Sequence, residues 1–280
     1  MENSHRIFTV DVEEYYHAEN VLSSLAREEI NTLPDRLNIS LPRIIDLLDK
    51  NNSKATFFVL GCIAQENASL IKKIIASGHE IASHGFRHIP LSKHTPDTFE
   101  EDLDKSIKVL SDITGQKIIG YRAASFSLCD RMPWFFDILR KYGITYDSSI
   151  ALSLFRATTC KIPQNQGCFE ISKGILEFPV SCLNLGPLRI PLGGGYFRAY
   201  PYWLTKWGLS QVSRNEKSLC LFYLHPWELD PDQPKFRLSP VKSLRHYLNL
   251  GTTENKLKKL LADMKFTSIK SFLNIISNSG

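Results

Sequence analysis

Short apolar segments alternate with helical patterns along this chain of 280 residues. Such alternation predicts parallel strands that are joined through helices by right-handed crossovers. Seven strand-like segments favour a closed or nearly closed α/β barrel over an open, doubly wound sheet. The predicted strands are Arg6 to Val12, Ala55 to Leu60, Glu80 to Ser83, Lys117 to Tyr121, Ile144 to Tyr146, Ile175 to Val180, and Leu219 to Leu224.

The helices between these strands have recognisable ends. One follows Thr95, has Pro96 at its first position and stops at Gly115, which are residues typical of helix ends. Two longer segments, Tyr16 to Ile39 and Ser148 to Gly174, are predicted to be loops, and no change of composition marks a second domain. The other predicted helices open near Ser40-Leu41-Pro42 and run through Ile71 to Ala76, Pro133 to Tyr142, Tyr202 to Val212, and Glu254 to Met264.

Composition excludes several classes of protein. Hydrophobic residues make up 43% of the chain and charged residues 22%, which supports a sizeable core and argues against disorder. The net charge is +5, and the sequence contains no run of Lys or Arg longer than two residues. No motif indicates a nucleic-acid partner. The first residues lack the apolar core of a signal peptide, and no segment has the roughly 18 apolar residues of a membrane-spanning helix. We therefore expect a cytoplasmic protein whose mildly basic surface is compatible with peripheral membrane association.

Ionisable side chains occur where successive predicted strands end. In α/β barrels the functional groups come from the C-terminal ends of the strands, because the loops there converge on one mouth. We therefore expect these side chains to meet. They are Asp11 and Glu13 after the first strand, His84 and His88 after the third, Arg122 after the fourth, Asp147 after the fifth, and His225 after the last.

Two histidines and two acids have the spacing of a metal site. His84 and His88, four apart, can direct two imidazoles at one point, although this spacing alone is as typical of a helix cap and a surface residue. Asp11 and Glu13 share one side of an extended chain, so that one can bind a metal while the other acts as a general base; the alternative is a solvated acidic pair. Two histidines and a carboxylate with an open fourth position fit a catalytic zinc ion.

The remaining three residues have acid–base or structural interpretations. His225 ends an apolar strand, where it is either a hydrogen-bonded core histidine or a general acid near neutral pH. Asp147 could orient such a histidine and raise its pKa, or could be an ordinary turn residue. Arg122 could keep Asp11 ionised through a charge-assisted hydrogen bond, or form a surface salt bridge.

Residues 193–207 contain two further features. Gly193 to Gly195 lack a phosphate-binding pattern and are predicted to form a backbone turn, one that could approach a substrate. Trp203 and Trp207 are four apart on a predicted helix and are interpreted as core residues. The nearby aromatic residues Tyr196, Phe197 and Tyr200 could stack on sugar rings.

These segments resemble the motifs of the polysaccharide deacetylases, the carbohydrate esterase family that includes chitin and peptidoglycan N-deacetylases. The resemblance extends over most of the chain, from Ile7 to Ile269. Gly193 to Arg198 and Trp227-Glu228 resemble the branch found with bacterial exopolysaccharide and exosortase-type loci. The five motifs correspond to Thr9 to Glu13, Ser83 to His88, Arg122 to Phe126, Tyr146 to Ser149 in reduced form, and Leu224-His225.

Three positions depart from the family pattern. Many members have adjacent aspartates in the first motif, whereas Val12 follows Asp11 here, so that Glu13 is expected to be the carboxylate ligand with Glu14 as the alternative. Ala124 stands where proline is usual in the third motif. Ile150 occupies the place of the second acid in the fourth motif.

The resemblance implies a distorted seven-stranded (β/α) barrel, and it implies roles for the residues at its mouth. A divalent metal ion, usually zinc in this family, would be bound by Glu13, His84 and His88. The single catalytic domain would cover residues 1–280, with residues from about 230 to 280 as a family-specific extension packed on it. The implied catalytic residues are Asp11 as base, Arg122 as its support, and His225 as acid, tuned by Asp147.

The activity implied is metal-assisted hydrolysis of an N-acetyl group on an amino sugar, in a polysaccharide or its lipid-linked precursor. Two alternatives remain open from the sequence. One is another metal-dependent hydrolase of non-peptide amide bonds on the same scaffold, and the other is a catalytically silent glycan-binding protein.

Overall fold

Seven parallel strands at the positions of the seven predicted segments curl into a distorted barrel. The structure is a computed structural model that describes residues 6–25, 27–30, 32–128, 132–151, 167–185, 188–214 and 219–277. The strands are β1 (Arg6–Val12), β2 (Ala55–Val59), β3 (Glu80–Ser83), β4 (Gly120–Tyr121), β5 (Tyr146–Asp147), β6 (Phe169–Ser172), β7 (Ile175–Glu177), β8 (Cys182–Leu185), β9 (Leu188–Pro191) and β10 (Cys220–Leu224).

Helices connect the strands and cover the outside of the sheet. The α-helices are α1 (Glu19–Leu22), α2 (Arg27–Ile30), α3 (Leu37–Lys50), α4 (Gly61–Glu66), α5 (Ala68–Ala76), α6 (Pro96–Thr114), α7 (Pro133–Lys141), α8 (Gly195–Ala199), α9 (Tyr202–Val212), α10 (Pro240–Tyr247), α11 (Leu250–Asp263) and α12 (Ile269–Ser277). Four short 3₁₀ turns lie at Tyr15–His17, Leu91–Lys93, Ala124–Phe126 and Pro226–Leu229.

The order of the strands brings the first and last of the barrel together. The main sheet runs β10-β1-β2-β3-β4-β5-β7-β6, and every neighbouring pair is parallel except β6 and β7. After β7, the N–H of Val180 donates to the carbonyl of Ile150 at 2.9 Å, and the N–H of Ser181 donates to Leu221 at 3.1 Å. Residues 178–181 therefore join the β5 side of the sheet to β10, which nearly closes the barrel.

The seven predicted strands correspond to β1, β2, β3, β4, β5, β7 and β10, and the barrel fold is confirmed. Three further strands were not predicted. β6 adds an antiparallel eighth strand at one edge, inside a segment that was predicted to be a loop. β8 and β9 form a separate antiparallel hairpin.

Helix ends follow local chemistry in some places and tertiary contacts in others. α6 begins and ends as predicted, because Thr95 accepts a hydrogen bond from Thr98 and Gly115 adopts φ +65° at the C-cap. α3 begins at Leu37, earlier than predicted, and Pro42 lies inside it. The reason is tertiary: Glu14, distant in sequence, accepts the backbone N–H groups of Arg36 and Leu37 at 2.7 and 2.9 Å.

The face of α9 that carries its two tryptophans points outward. Trp203 is 66% exposed and Trp207 40%, whereas Thr205 and Leu209 on the opposite face are buried. The prediction that both tryptophans are core residues is therefore wrong, because the apolar face of α9 uses smaller side chains. Among the described helices, none combines the length and the hydropathy needed to cross a membrane.

Candidate metal centre and active site

A cavity of about 550 Å³ lies at the C-terminal ends of the parallel strands. Five of the seven residues predicted to form the site line it, namely Asp11, Glu13, His84, His88 and His225. Arg122 and Asp147 are fully buried at the same end of the barrel. The strand ends thus bring the predicted groups to one mouth, as expected for this architecture.

Glu13, His84 and His88 form a cluster that can hold a metal ion. One ligand atom from each lies within 4.8 Å of the other two. The Nδ1 atom of His84 lies 2.8 Å from the carbonyl of Arg122, to which only an N–H can donate, so Nε2 keeps its lone pair. Burial lowers the pKa of His84 to about 4, which keeps the imidazole neutral at physiological pH. Two imidazoles and a carboxylate are a donor set that zinc takes in catalytic sites, so these residues fit such an ion.

Glu13 is held in place by two neighbours. Its Oε2 lies 2.9 Å from Nε2 of His88, and its Oε1 accepts a hydrogen bond from the indole N–H of Trp227 at 3.2 Å. Burial alone would raise the pKa of Glu13, but the charges of His88 and His225 outweigh it and lower the pKa well below its usual range. Glu13 is therefore a carboxylate at neutral pH.

Glu14, the alternative ligand, has a different function in the fold. Its Oε1 caps α3 through the N–H groups of Arg36 and Leu37. Burial raises the pKa of Glu14 to about 8. Among the described residues, the cluster that can hold a metal contains Glu13 and not Glu14.

Asp11 is paired with Arg122. The guanidinium Nη1 of Arg122 donates to Oδ1 of Asp11 and, at 3.0 Å, to the hydroxyl of Thr9. The same guanidinium donates to the carbonyl and the hydroxyl of Ser148 and lies 4.0 Å from the ring centre of Phe58. These contacts fix the arginine and leave Oδ2 of Asp11 on the side of His225.

His225 lies between the acids of the site and a buried glutamate. Its Nε2 is 3.5 Å from Oε1 of Glu13 and 3.9 Å from Oδ2 of Asp11. Its Nδ1 is 3.0 Å from Oε2 of Glu228. Burial opposes protonation, but the carboxylates of Glu13, Glu228 and Asp11 outweigh it and raise the pKa of His225 to about 9.

Glu228 is anchored by Arg198, a fully enclosed arginine of α8. The guanidinium Nε donates to Oε1 of Glu228 at 2.7 Å, and its remaining N–H groups donate to backbone carbonyls of α10 and of the residue that follows it. Trp227 stacks on His225 on one side and on His246 on the other, with ring centres 5.3 and 4.7 Å apart. The imidazole of His225 is thus held by the turn that follows it, and α8 and α10 anchor that turn.

The structure corrects the expected partner of His225. Asp147 was expected to orient this histidine, but Glu228 occupies that place. The carboxylate of Asp147 instead accepts a hydrogen bond from Ser149 and lies against Glu177 of the neighbouring β7. Local contacts explain the difference: the turn after His225 places Glu228 at Nδ1, while Ser149 and Glu177 hold the carboxyl group of Asp147.

Three residues of the site were missed from the sequence: Trp227, Glu228 and Arg198. Trp227 and Glu228 directly follow His225 and Pro226. The 3₁₀ turn at Pro226–Leu229 places the Glu228 carboxylate beside Nδ1 of His225. The short spacing between His225 and Glu228 is the signal that could have identified the pair. No local signal links Arg198 to Glu228, thirty positions away in sequence.

The glycine run and the third-motif turn also have clear structural roles. A Cβ atom at Gly193 or Gly194 would lie 2.5 or 2.7 Å from the side chain of Tyr223, so both glycines allow this ring to pack beneath them. Gly195 lines the cavity. Ala124, in the place where proline is usual, is the first residue of a 3₁₀ turn. Its backbone carbonyl accepts a hydrogen bond from the hydroxyl of Ser127 at 2.7 Å.

A (β/α) barrel with a cluster of metal-binding side chains and separate acid–base groups at its mouth is an arrangement used by metal-assisted hydrolases. Residues 32–146 match the family model described as "Polysaccharide deacetylase", and residues 149–274 match a "Domain of unknown function (DUF3473)". The chain therefore contains a polysaccharide deacetylase domain over residues 32–146.

Curated relatives match the chain over part of their length. A peptidoglycan deacetylase of Helicobacter pylori is 30% identical over 112 residues, which are 40% of this chain and 37% of that protein. The peptidoglycan-N-acetylglucosamine deacetylase PgdA of Listeria monocytogenes is 36% identical over 74 residues, 26% of this chain and 16% of its own length. The chain therefore spans well under two thirds of these relatives.

Solved structures share the fold over nearly the whole chain. A Mycobacterium smegmatis protein proposed to be a polysaccharide deacetylase superimposes with a TM-score of 0.64, at 20% identity, over 98% of this chain and 90% of that one. The peptidoglycan deacetylase PdaC of Bacillus subtilis gives 0.52 at 10% identity, over 98% and 92%. A carbohydrate esterase family 4 pseudoenzyme of Bacillus anthracis gives 0.51 at 17% identity, over 98% and 66%.

Proposed function

We propose that this protein is an N-deacetylase that removes acetyl groups from amino sugars of a glycan. The observation that carries the proposal is the placement of two acid–base groups, Asp11 and His225, beside the Glu13–His84–His88 cluster in one cavity. An amide is a resistant bond, and its hydrolysis needs a proton acceptor for water and a proton donor for the departing nitrogen. The cavity contains a candidate for each.

Glu13, His84 and His88 would hold the metal ion. When bound, a divalent ion such as zinc supplies Lewis acidity, which polarises a carbonyl group and makes water more acidic. The protein's contribution is to orient these ligands: Trp227 and His88 fix the Glu13 carboxylate, and the Arg122 carbonyl fixes the tautomer of His84.

Asp11 is the proposed general base. Arg122 holds Oδ1, so that Oδ2 is the oxygen free to accept a proton from the attacking water. Asp11 is nearly fully buried, so that bulk water does not compete for this oxygen. The fixed guanidinium also keeps the carboxylate pointed into the cavity throughout the reaction.

His225 is the proposed general acid. The carboxylate of Glu228 can only accept a hydrogen bond, so Nδ1 carries a proton and Nε2 faces the cavity. A proton on Nε2 would pass to the amide nitrogen as the C–N bond breaks, which yields a neutral amine and acetate. This step avoids release of an amide anion.

Aromatic side chains around the cavity support a sugar substrate. Phe126, Tyr196, Tyr223 and Trp227 line its walls beside the acid–base residues. Such rings can pack against the apolar faces of pyranose rings. The curated relatives named above are peptidoglycan deacetylases, which supports an N-acetylated amino sugar in a polymer or in its lipid-linked precursor.

Peripheral membrane association is proposed for the precursor case. Trp203 and Trp207 project from one exposed face of α9, and tryptophan favours the interface between lipid and water. Sedimentation with lipid vesicles tests this. The wild-type protein should sediment with the vesicles, and the double variant Trp203→Ala, Trp207→Ala should not. Equal sedimentation of both proteins, or none by the wild type, would contradict it.

Acetate release is the decisive experiment for the activity. The zinc-loaded protein should release acetate and expose one free amine per acetate from N-acetylglucosamine oligomers, peptidoglycan fragments or lipid-linked saccharides. Release of a different acid from another amide would assign the protein to a different class of amidohydrolase. Tight metal and glycan binding without any acid release would indicate a silent glycan-binding protein.

A further inference from the structure

Two carboxyl groups lie side by side in the interior, behind the arginine that supports Asp11. Asp147 on β5 and Glu177 on β7 are register partners in the parallel pair, and neither is exposed to solvent. Buried acidic side chains are uncommon, and two in contact are costly if both are charged.

Each carboxyl group has one oxygen that is fully satisfied. Oδ1 of Asp147 accepts the hydroxyl of Ser149 at 2.6 Å, and Oε1 of Glu177 accepts the N–H of Ile150 at 3.0 Å. The other oxygens, Oδ2 of Asp147 and Oε2 of Glu177, are buried and receive no N–H or O–H group from any residue that the structure describes. The two carboxyl groups are register partners and interact with each other, and each keeps one oxygen without a partner within the described part of the chain.

A hydrogen bond between two carboxyl groups requires a proton on one of them, because ionised carboxylates can only accept. Arg122 and Tyr121 of β4 are the charged and titratable groups that act on the pair. The N–H groups of Arg122 are directed at Ser148, Thr9 and Asp11. Burial raises the pKa of Asp147 to about 6 and, together with the charge of Asp147, raises that of Glu177 well above its ordinary value.

We propose that Asp147 and Glu177 share a single proton, and that Glu177 is thereby a positioning residue for the Arg122–Asp11 pair. Glu177 also accepts the backbone N–H of Ile150, the residue that stands where the fourth motif usually has its second acid.

A short series of hydrogen bonds connects the Asp147–Glu177 pair to Arg122, which holds Asp11. Ser149 donates to Asp147 and accepts the backbone N–H of Ala123 at 2.8 Å. Ser148 receives Nη2 of Arg122 at 2.7 Å and donates to the carbonyl of Phe178 at 2.7 Å. The segment between β5 and Ile150 therefore supplies acceptors that orient Arg122. If Glu177 no longer held this segment, Arg122 would lose its fixed geometry towards Asp11.

Infrared spectroscopy detects the shared proton directly. A protonated carboxylic acid has a carbonyl stretch that is separate from the carboxylate bands and shifts in D₂O. We expect such a band in the wild type at neutral pH and its loss in Glu177→Gln, read as a difference spectrum because other buried acids contribute to the total. A difference spectrum without this band would overturn the proposal.

Stability as a function of pH gives a second test. The folded protein keeps a proton on Glu177 above the ordinary glutamate value of 4.5, at which the unfolded chain releases it. The contribution of the pair is therefore complete below that pH and declines as pH rises towards the folded value. Glu177→Gln should remove this decline, so that its Tm relative to wild type rises as the pH increases above about 5. A pH-independent difference in Tm would contradict the proposal.

Kinetics test the positioning role, and this arm rests on the proposed deacetylase function. Glu177→Ala should lower kcat by about 10- to 100-fold with little change in KM, since the arginine and not the sugar contacts are disturbed. Glu177→Gln can donate to Asp147 and accept from Ile150, and should recover most of the lost kcat. Equal kcat in wild type and folded Glu177→Ala would refute the positioning role of Glu177. Absence of acetate release by the wild type would instead refute the proposed deacetylase function, and the infrared and stability tests would then decide whether the two carboxyl groups share a proton.

Discussion

The Nδ1 atom of His225 and the Oε2 atom of Glu228 lie 3.0 Å apart, and the same oxygen accepts the backbone N–H of His225 at 3.0 Å. One carboxylate thus fixes both the position of the residue and the tautomer of its ring. Because burial would otherwise disfavour a charged imidazole, Glu228 and the other nearby acids determine whether His225 can hold a second proton.

Glu228→Ala should therefore lower kcat by about 10- to 100-fold while metal content stays near wild type, because the ligands Glu13, His84 and His88 are not altered. Glu228→Gln is the matched variant: its single amide oxygen can accept from His225 or from Arg198 but not from both, and it carries no charge, so that kcat should fall here as well. Acetate release at saturating substrate and metal analysis of the same preparations provide the measurement. Unchanged kcat in Glu228→Ala would remove this residue from the mechanism.

His84→Ala and Glu13→Ala should each lose the metal ion, since the cluster then has two ligands. Glu14→Gln is the control at the neighbouring position, where the side chain caps α3 and its replacement can still accept from Arg36 and Leu37. Bound metal per protein chain after dialysis is the measurement. Retention of full metal by Glu13→Ala together with loss by Glu14→Gln would reverse the ligand assignment.

Asp11→Asn should keep its metal and its fold but lose activity by about 10²- to 10⁴-fold, the usual contribution of a general base. The amide is close in shape to the carboxylate and can still accept a hydrogen bond from Arg122. The measurement is kcat for acetate release, with metal content and Tm as controls. Near wild-type kcat would show that another group accepts the proton.

Trp227→Phe should weaken metal binding by about 10-fold, because Glu13 loses the indole N–H that orients its Oε1. The phenyl ring keeps part of the stack between His225 and His246. Trp207→Phe on the exposed face of α9 is the control. Competition with a chelator measures both affinities, and equal values would exclude a role for the indole N–H.

Gly120→Ala should destabilise the barrel by about 1–3 kcal/mol, the usual cost of forcing extra volume into a packed interior. An added Cβ would lie 2.0 Å from Cζ of Tyr146, a fully buried ring. Gly251→Ala, where an added Cβ meets nothing within 4 Å, should leave stability unchanged or slightly higher. Chemical denaturation gives the free energy of unfolding of the two variants. Equal values would show that the Tyr146 ring can move aside at little cost.

The sequence predicted the parts of the fold that are encoded locally. β1 and β3 have the predicted bounds, and α6 has its predicted capping residues, because apolar runs and caps are read over short windows. The β8–β9 hairpin was missed, although Gly186-Pro187 between its strands is a turn signal. β6 alternates apolar and polar residues, but only over four positions, which is too short to identify a strand inside a long loop segment.

The candidate site was predicted less completely than the fold. Strand ends correctly indicated which side chains meet, since all parallel strands point the same way. The hydrogen-bond partners of those side chains depend on turn geometry and on long-range contacts: Trp227 and Glu228 lie in the turn directly after His225, whereas Arg198 is distant in sequence. Asp147 was therefore assigned to His225, while Glu228, Arg198 and Trp227 hold that histidine in the structure.

The pairing of β1 with β10 determines when the site can come into existence. Ile7 is the register partner of Leu221, so Glu13 and His225 become neighbours only when these two strands join. During synthesis from the N-terminus, Asp11 and Glu13 emerge more than two hundred residues before His225. A nascent or prematurely terminated chain that ends before β10 therefore has both acids but lacks His225, the proposed proton donor, and completion of the barrel is the event that assembles the site.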